Sequence, residues 1–458
     1  MYRFIFTVFL LFIFITATAL PLPIPAVRAS QSEANFELLQ GYLDAAPDGM
    51  DVRYAWTLAG GKAENVGIID IEVNWNLRHN DLVTPTANPL LFVEGFDPHP
   101  ELTKDHGAAV LGELIAADDG IGVTGIAPRA HIGLINPLPQ QGSVSQIAAA
   151  INQAARALQA GDILLIEDQS AKGPRLNPQT GTGLLPIEYE QDVYTAIKDA
   201  TDRGIVVIEP AGNGAENLDD PIYNNLFNRN RDSGAILVGA GFPPVNFFAR
   251  GTNLSATDES NYGSRVDVQG WGRGIVTCGF GDLQNSDGEN NFYTSKFGGT
   301  SGASAMVAGA AAVLQSIIKQ RGLQPLTSQQ MRSLFRSTGT LQTGNKVIGP
   351  RPDLRKAIAA LESTDQPPRI TFVKFKPGAG KLIVEGENFI PGDAVIEVNG
   401  VAVAKMKYPA EFFLPNGTTT YLLAKGQTTS TVPGGVDLSI TVYNRSKDRR
   451  SEPVIYRY

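Results

Sequence analysis

The chain is poor in the residues that staple or metallate small folds. It has one cysteine, Cys278, in 458 residues. No internal disulfide can form, and the thiol lacks the CxxC partner of a redox or zinc-finger motif. Histidine is almost as scarce: His79, His99, His106 and His131 complete the set, so the search for a general base is short. There is no basic run, no aromatic–basic alternation, no internal repeat and no low-complexity tract. With 38 Lys and Arg against 46 Asp and Glu, the net charge is −8, which weighs against a general nucleic-acid binder.

What is present describes a globular protein of two parts. Hydrophobic residues make up 43% and charged residues 18%, a balance that excludes a disordered chain. A single core stops growing at about 250–300 residues, so the length calls for a second domain or an appendage. The first thirty residues, "MYRFIFTVFLLFIFITATALPLPIPAVRAS", carry Arg3, an apolar stretch over 4–20, a proline-rich segment and a small-residue cleavage site at 27–29. They read as a signal peptide over 1–29, implying a secreted or periplasmic protein; an uncleaved anchor is the alternative. No second apolar run of that kind follows, so no stable membrane span is expected after cleavage.

From about residue 66 to 360, short apolar stretches alternate with amphipathic ones. "NVGIIDI", "RAHIGLINPL", "DILLIEDQ" and "IVVIEPAGN" read as strands; "AAVLGELIAA", "VSQIAAAINQAARALQAG" and "EQDVYTAIKDATDRG" read as helices. Such alternation requires crossover connections and a parallel sheet covered on both faces. After "TDQPPRI" the helical period disappears, and "RITFVKF", "KLIVEGENF", "AVIEVNG", "LSITVYN" and "PVIYRY" are strands separated by turn residues. The expected domains are therefore 30–364 and a small antiparallel sandwich over 368–458. Asp365, Gln366, Pro367 and Pro368 form the linker between them.

Four polar residues stand at element boundaries within the first domain. Asp70 ends the strand "NVGIID", where open α/β sheets place their sites, although an Asx turn would also put an aspartate there. His106 in "KDHGAAVLGELIAA" starts a helix beside Gly107, whereas His79, His99 and His131 suit turn or surface roles. Asn213 closes "VVIEPAGN" as a turn residue or as an amide donor. Ser301 in "KFGGTSGASAMVAGAAAVLQSIIKQ" is either a cap on a packing helix or a nucleophile at its tip.

In this order the four residues and their neighbourhoods resemble the subtilisin (S8) family of serine peptidases. "VGIIDIEVNWNLRHNDL" is similar to the family's Asp motif, "HGAAVLGELIAADDGIGVTGIAP" to its His motif, "VVIEPAGN" to its oxyanion strand and "GGTSGASAMVAGAAAVL" to its Ser motif. The resemblance runs from about residue 54 to 361. It implies a subtilisin-like three-layer α/β domain with a mostly parallel sheet. It also implies an endopeptidase acting on protein or peptide substrates through Asp70, His106 and Ser301, with Asn213 completing the oxyanion hole. Substrate would lie along Gln169, Ser170, Ala171 and Gly173 and against Ala211 and Gly212, while Gly299 and Gly302 would let its backbone approach Ser301. No cofactor is implied. Calcium is common in the family, but Asp282, Asp287 and Glu289 lack EF-hand spacing and no metal ligands are assigned.

The chain departs from the family pattern in several places. Glu167 and Asp168 stand in a Ser-Leu-Gly segment, Ile71 and Glu72 replace a small pair after Asp70, Ala108 replaces a Thr, and Ala305 and Met306 replace Pro-His. About 40 residues separate the cleavage site from Asp70, too few for a separate inhibitory prodomain. The sedolisin branch would need Glu for His106 and Asp for Asn213. A catalytically silent binding protein is the alternative from another functional class. In the second domain, "PRITFVKFKPGAGKLIVEGENFIPGDAVIEVNG" is similar to immunoglobulin-like IPT/TIG modules, which implies an all-β sandwich that binds an unknown partner or caps the protease.

Overall fold

The computed structural model describes residues 34–458, apart from 142–145, 229, 246–250, 364–366 and 410–417. The leader expected over 1–29, and Asp365 and Gln366 of the expected linker, lie outside the described residues. The chain forms two compact units, Met1–Leu354 and Arg355–Tyr458.

The strands of the first unit are β1 Gly67–Ile71, β2 Phe92–Val93, β3 His131–Ile135, β4 Ile163–Ile166, β5 Gln169–Ser170, β6 Leu185–Pro186, β7 Val206–Pro210, β8 Ile236–Gly241, β9 Val268–Trp271, β10 Ile275–Cys278 and β11 Tyr293–Phe297. The helices are α1 Val52–Trp56, α2 Asn80–Val83, α3 Pro100–Ile115, α4 Ile147–Ala157, α5 Gln191–Asp202, α6 Gly299–Gln320, α7 Ser328–Thr338 and, across the boundary of the units, α8 Leu354–Ser363. Seven strands form one sheet in the order β2-β3-β1-β4-β7-β8-β9, and every pairing in it is parallel. The expected three-layer α/β architecture is the one observed.

Two helical layers cover this sheet because successive side chains of a strand point to opposite faces. Ile69, Ile71, Leu164, Ile166 and Val207 pack with Ile147, Ile151, Val193 and Ile197 of α4 and α5. The other face receives α6, which packs on β4, β7, β8, β9 and α3. Among the described residues α6 is the one helix long and apolar enough to cross a membrane, but 94% of its apolar window is buried inside the fold. Its small residues allow the close approach. A Cβ at Gly270 of β9 would stand 2.5 Å from the Ala303 carbonyl oxygen, and one at Gly309 would stand 2.7 Å from Ile126 Cβ.

Helix α3 begins earlier than its apolar pattern suggests. Pro100 occupies the first turn, where its fixed φ suits a helix start and its missing N–H is no loss. His106 consequently sits well inside α3, beside Glu72 and Phe297, rather than at its start.

In the second unit, Arg369–Lys376, Lys381–Phe389, Thr419–Lys425 and Met406–Lys407 make one antiparallel sheet. A second antiparallel sheet is built on Ala394–Val398 and Leu438–Asn444. Val384 and Leu422 of the first share a core with Ile396, Ile440 and Val442 of the second, so the expected small β-sandwich is present. The strand Thr419–Lys425 was not among those expected. Its burial does not alternate cleanly, so its sequence lacks the period-2 signal.

Replacing Gly270 with Ala should force Ala303 and the start of α6 away from the sheet. A loss of about 1–3 kcal/mol is expected, as for an overpacked core, read as a lower denaturant midpoint with unchanged slope.

Candidate active site

The connections at the carboxyl end of the sheet converge on one cleft of about 560 Å³, lined among others by Glu72, His106, Glu167, Gln169, Asn213 and Ser301. Asp70, expected at the end of its strand, is the last residue but one of β1; it is fully buried and does not line the cleft.

Ser301 is the third residue of α6. The first N–H groups of a helix have no intrahelical acceptor, and two of them are engaged here. Gly299 N donates to Gly272 O, and Thr300 N donates to Asn213 Oδ1 at 2.9 Å. Among the described residues the Ser301 N–H and hydroxyl have no partner. Gly299 is left-handed (φ +72°) and lies against the Asn213 amide. Gly302 has a different role from the one expected. A Cβ there would collide with Ile275 and stand 3.1 Å from Glu113 Oε1, so its small size serves packing beneath the cleft.

Asn213 follows β7 and is oriented from both sides. Its Oδ1 accepts from the Thr300 N–H and, at 3.0 Å, from the Thr300 hydroxyl, while its own N–H donates to Gln169 Oε1 at 2.9 Å. With Oδ1 engaged by Thr300, the Nδ2 group remains to donate. Gln169 thereby ties β5 to the Asn213 turn. The other residues expected to meet substrate (Ser170, Ala171, Gly173, Ala211 and Gly212) are not among those lining the cleft. Ser170 is buried with its hydroxyl on Glu190 Oε1, and β5 is paired with β6.

The imidazole of His106 is held by Glu72. Its Nδ1 lies 2.6 Å from Glu72 Oε2, while Glu72 Oε1 accepts from the Val73 N–H at 2.8 Å. Phe297 meets the ring edge-on at 5.4 Å. Asp70 sits two residues earlier, on the same face of the strand. Its Oδ2 accepts from the Trp75 indole N–H at 2.8 Å, and its Oδ1 has no partner. Trp75 in turn lies against Gly107, where a Cβ would stand 2.7 Å from the indole. The residue legible only in hindsight is Glu72: a second carboxylate at i+2 from a strand-end aspartate is carried to the same side.

Carboxylates crowd this region. Burial first, then the Glu72 charge, raises the Asp70 carboxyl to about 8 against the lowering bond from Trp75. Burial also raises Asp168 to about 7 and pushes Glu113 and Glu167 well above the carboxylate range. Glu167 Oε1 is 2.6 Å from the Ser304 hydroxyl. For His106, burial acts to lower the pKa, but Glu72 foremost, with Glu167 and Asp70, outweighs it and holds the imidazole at about 9.

His99 also lines the cleft, whereas His79 and three nearby acids have other partners. His79, expected in a turn or at the surface, is buried at the start of α2 with Nε2 on Phe292 O and Nδ1 accepting from the Asp81 N–H. It gathers with Asp81 and Cys278 within 4.8 Å. Asp81 already accepts from Tyr293 Oη and the Val123 N–H, so the donors are engaged in a hydrogen-bonded cluster. Asp282 takes Thr294 and Ser295, and Glu289 takes Lys104 at 2.6 Å.

Comparison with known proteins places this geometry in a family. The sequence profile of the subtilase family, Peptidase S8, matches residues 61–354, ending where the second unit begins. The chain is 26% identical over 307 residues to the intracellular serine protease of Paenibacillus polymyxa, spanning 64% of this chain and 79% of that protein. It is 28% identical over 293 residues to Subtilisin Savinase of Lederbergia lenta, spanning 63% and 88%. Among solved structures, that of a lanthipeptide protease superposes with a TM-score of 0.48 at 18% identity, covering 70% of this chain and 95% of that one. The cleft is thus set in a domain of known lineage: this chain belongs to the subtilase family of serine peptidases.

Proposed function

We propose that the protein is an exported serine endopeptidase that hydrolyses peptide bonds through an acyl-enzyme on Ser301. The observation that carries this reading is that the Ser301 N–H and hydroxyl at the tip of α6 have no partner among the described residues. They open on the cleft that also holds His106 and Asn213. In the proposed reaction His106 Nε2 takes the Ser301 proton as Oγ attacks the carbonyl carbon, and returns it to the departing amine. The Ser301 N–H, at the positive end of the helix dipole, and Asn213 Nδ2 receive the charge that develops on the carbonyl oxygen. A carboxylate on Nδ1 keeps the imidazole in the required tautomer, a task the family pattern gives to Asp70.

Gln169 is the member of the expected substrate-binding set that faces the cleft, and its bond from the Asn213 N–H sets it beside the proposed oxyanion site. Export rests on the leader read in residues 1–29, since the Paenibacillus relative is named an intracellular enzyme. For the second unit we adopt the IPT/TIG resemblance and assign the sandwich a binding or spacing role.

A fluorophosphonate probe should label the wild-type protein at Ser301 and not Ser301→Ala, with casein cleavage lost in parallel. Absence of labelling and cleavage in folded wild type would leave the silent binding protein as the reading. Asn213→Ala should lower kcat by about 10²–10³-fold while KM changes little. The pH dependence follows from His106: with its pKa raised from 6.5 to about 9, the base is protonated at neutral pH. The acid limb of kcat/KM should therefore rise towards about pH 9. The stabilising effect of the imidazolium runs the opposite way, complete below about 6.5 and lost as pH passes about 9.

A further inference from the structure

The geometry points to Glu72, not Asp70, as the positioning residue that orients His106, with Asp70 holding the neighbouring loop. The assignment deepens the peptidase reading and rests on it for its catalytic consequence. Three observations carry it.

The first is contact. Glu72 Oε2 is 2.6 Å from His106 Nδ1 and Oε1 is fixed by the Val73 N–H. Both oxygens are thus used, and the bond to the imidazole is fixed in direction. The second is that Asp70 is committed elsewhere. Among the described residues its one hydrogen bond goes to the Trp75 indole and its other oxygen has no partner, and it is fully buried. A buried carboxylate with one donor is poorly compensated, whereas Glu72, at 3% exposure, has a backbone amide and a cation-forming partner. The third is local backbone. Asp70 lies inside β1, which ends at Ile71, and Glu72 still follows the sheet through its N–H to Ile135 O. The longer glutamate side chain, carried one strand repeat further on, meets the ring, while the aspartate is bonded to Trp75.

Asp70 acquires a different task in this arrangement. Through Trp75 it braces the turn after β1 against Gly107, fixing the helix backbone next to His106. The titratable groups facing His106 are Glu72, Asp70 and Glu167; Asp168 faces Glu72, and Glu113 faces Glu167.

The test compares Glu72→Gln, Glu72→Asp and Asp70→Asn in the full chain. With only four histidines, the His106 titration can be followed by NMR without substrate, so this readout survives even if the protein cleaves nothing. Glu72→Gln should lower the His106 pKa by more than about one unit and Asp70→Asn should lower it by less. In the peptidase assay Glu72→Gln should lower kcat by about 10³–10⁴-fold, with the acid limb displaced downward and KM nearly unchanged. Glu72→Asp should regain part of that loss, and Asp70→Asn should cost less than about tenfold. A larger His106 shift or kcat loss in Asp70→Asn, or equal effects in the two charge-removing variants, would overturn the assignment. Inactive wild type with the expected titrations would instead remove the peptidase reading and leave the Glu72–His106 pairing standing.

Discussion

The burial of α6 between the parallel sheet and α3 is the constraint on which the rest of the site depends. A helix that is apolar nearly all round has one stable place in a soluble domain, the middle of a core. Its small residues let β9 and the segment at Ile126 approach to contact distance, which fixes its axis and rotation. Once that axis is fixed, Ser301 must emerge at the carboxyl end of the strands, where the turns after β1 and β7 also end. The position of Ser301 is therefore a packing result.

The same burial explains why acidic groups gather where they do. Burial penalises the charged form of each carboxylate behind the cleft, and donors offset that cost to different degrees. Glu72 finds the Val73 N–H and His106, whereas Glu113 has no partner on either oxygen. A similar accounting holds away from the site. Arg265 is fully buried, lies 2.6 Å from Asp267 Oδ2 and donates to Glu188 Oε2 at 3.0 Å. At Arg265 carboxylates with matching geometry offset the cost of burying the charge.

Much of the fold was legible because its signals are local. Continuous apolar runs such as that of β4, flanked by amphipathic helices with Gly161 at the end of one, specify a parallel sheet whatever the tertiary detail. The β-sandwich was legible from alternation, except at Thr419–Lys425, where the alternation fails. Helix α3 was misplaced at its start because the polar first turn after Pro100 has no apolar period. His79 reads as a surface residue in a polar sequence, and its burial follows from the β11 carbonyl region folding over it.

By itself the sequence determined the order of elements, the apolar helix with its glycine-rich tip, and the set of polar residues at strand and helix ends. Those follow from periodicity and turn chemistry, which act over a few residues. Which carboxylate reaches His106, which face of Asn213 is left free, and which expected binding residues meet the cleft were decided by the tertiary structure. Asp70 and Glu72 share a face and differ by one methylene and one strand repeat. Only the separation between β1 and α3, set by packing across the whole domain, determines which of them the imidazole can touch.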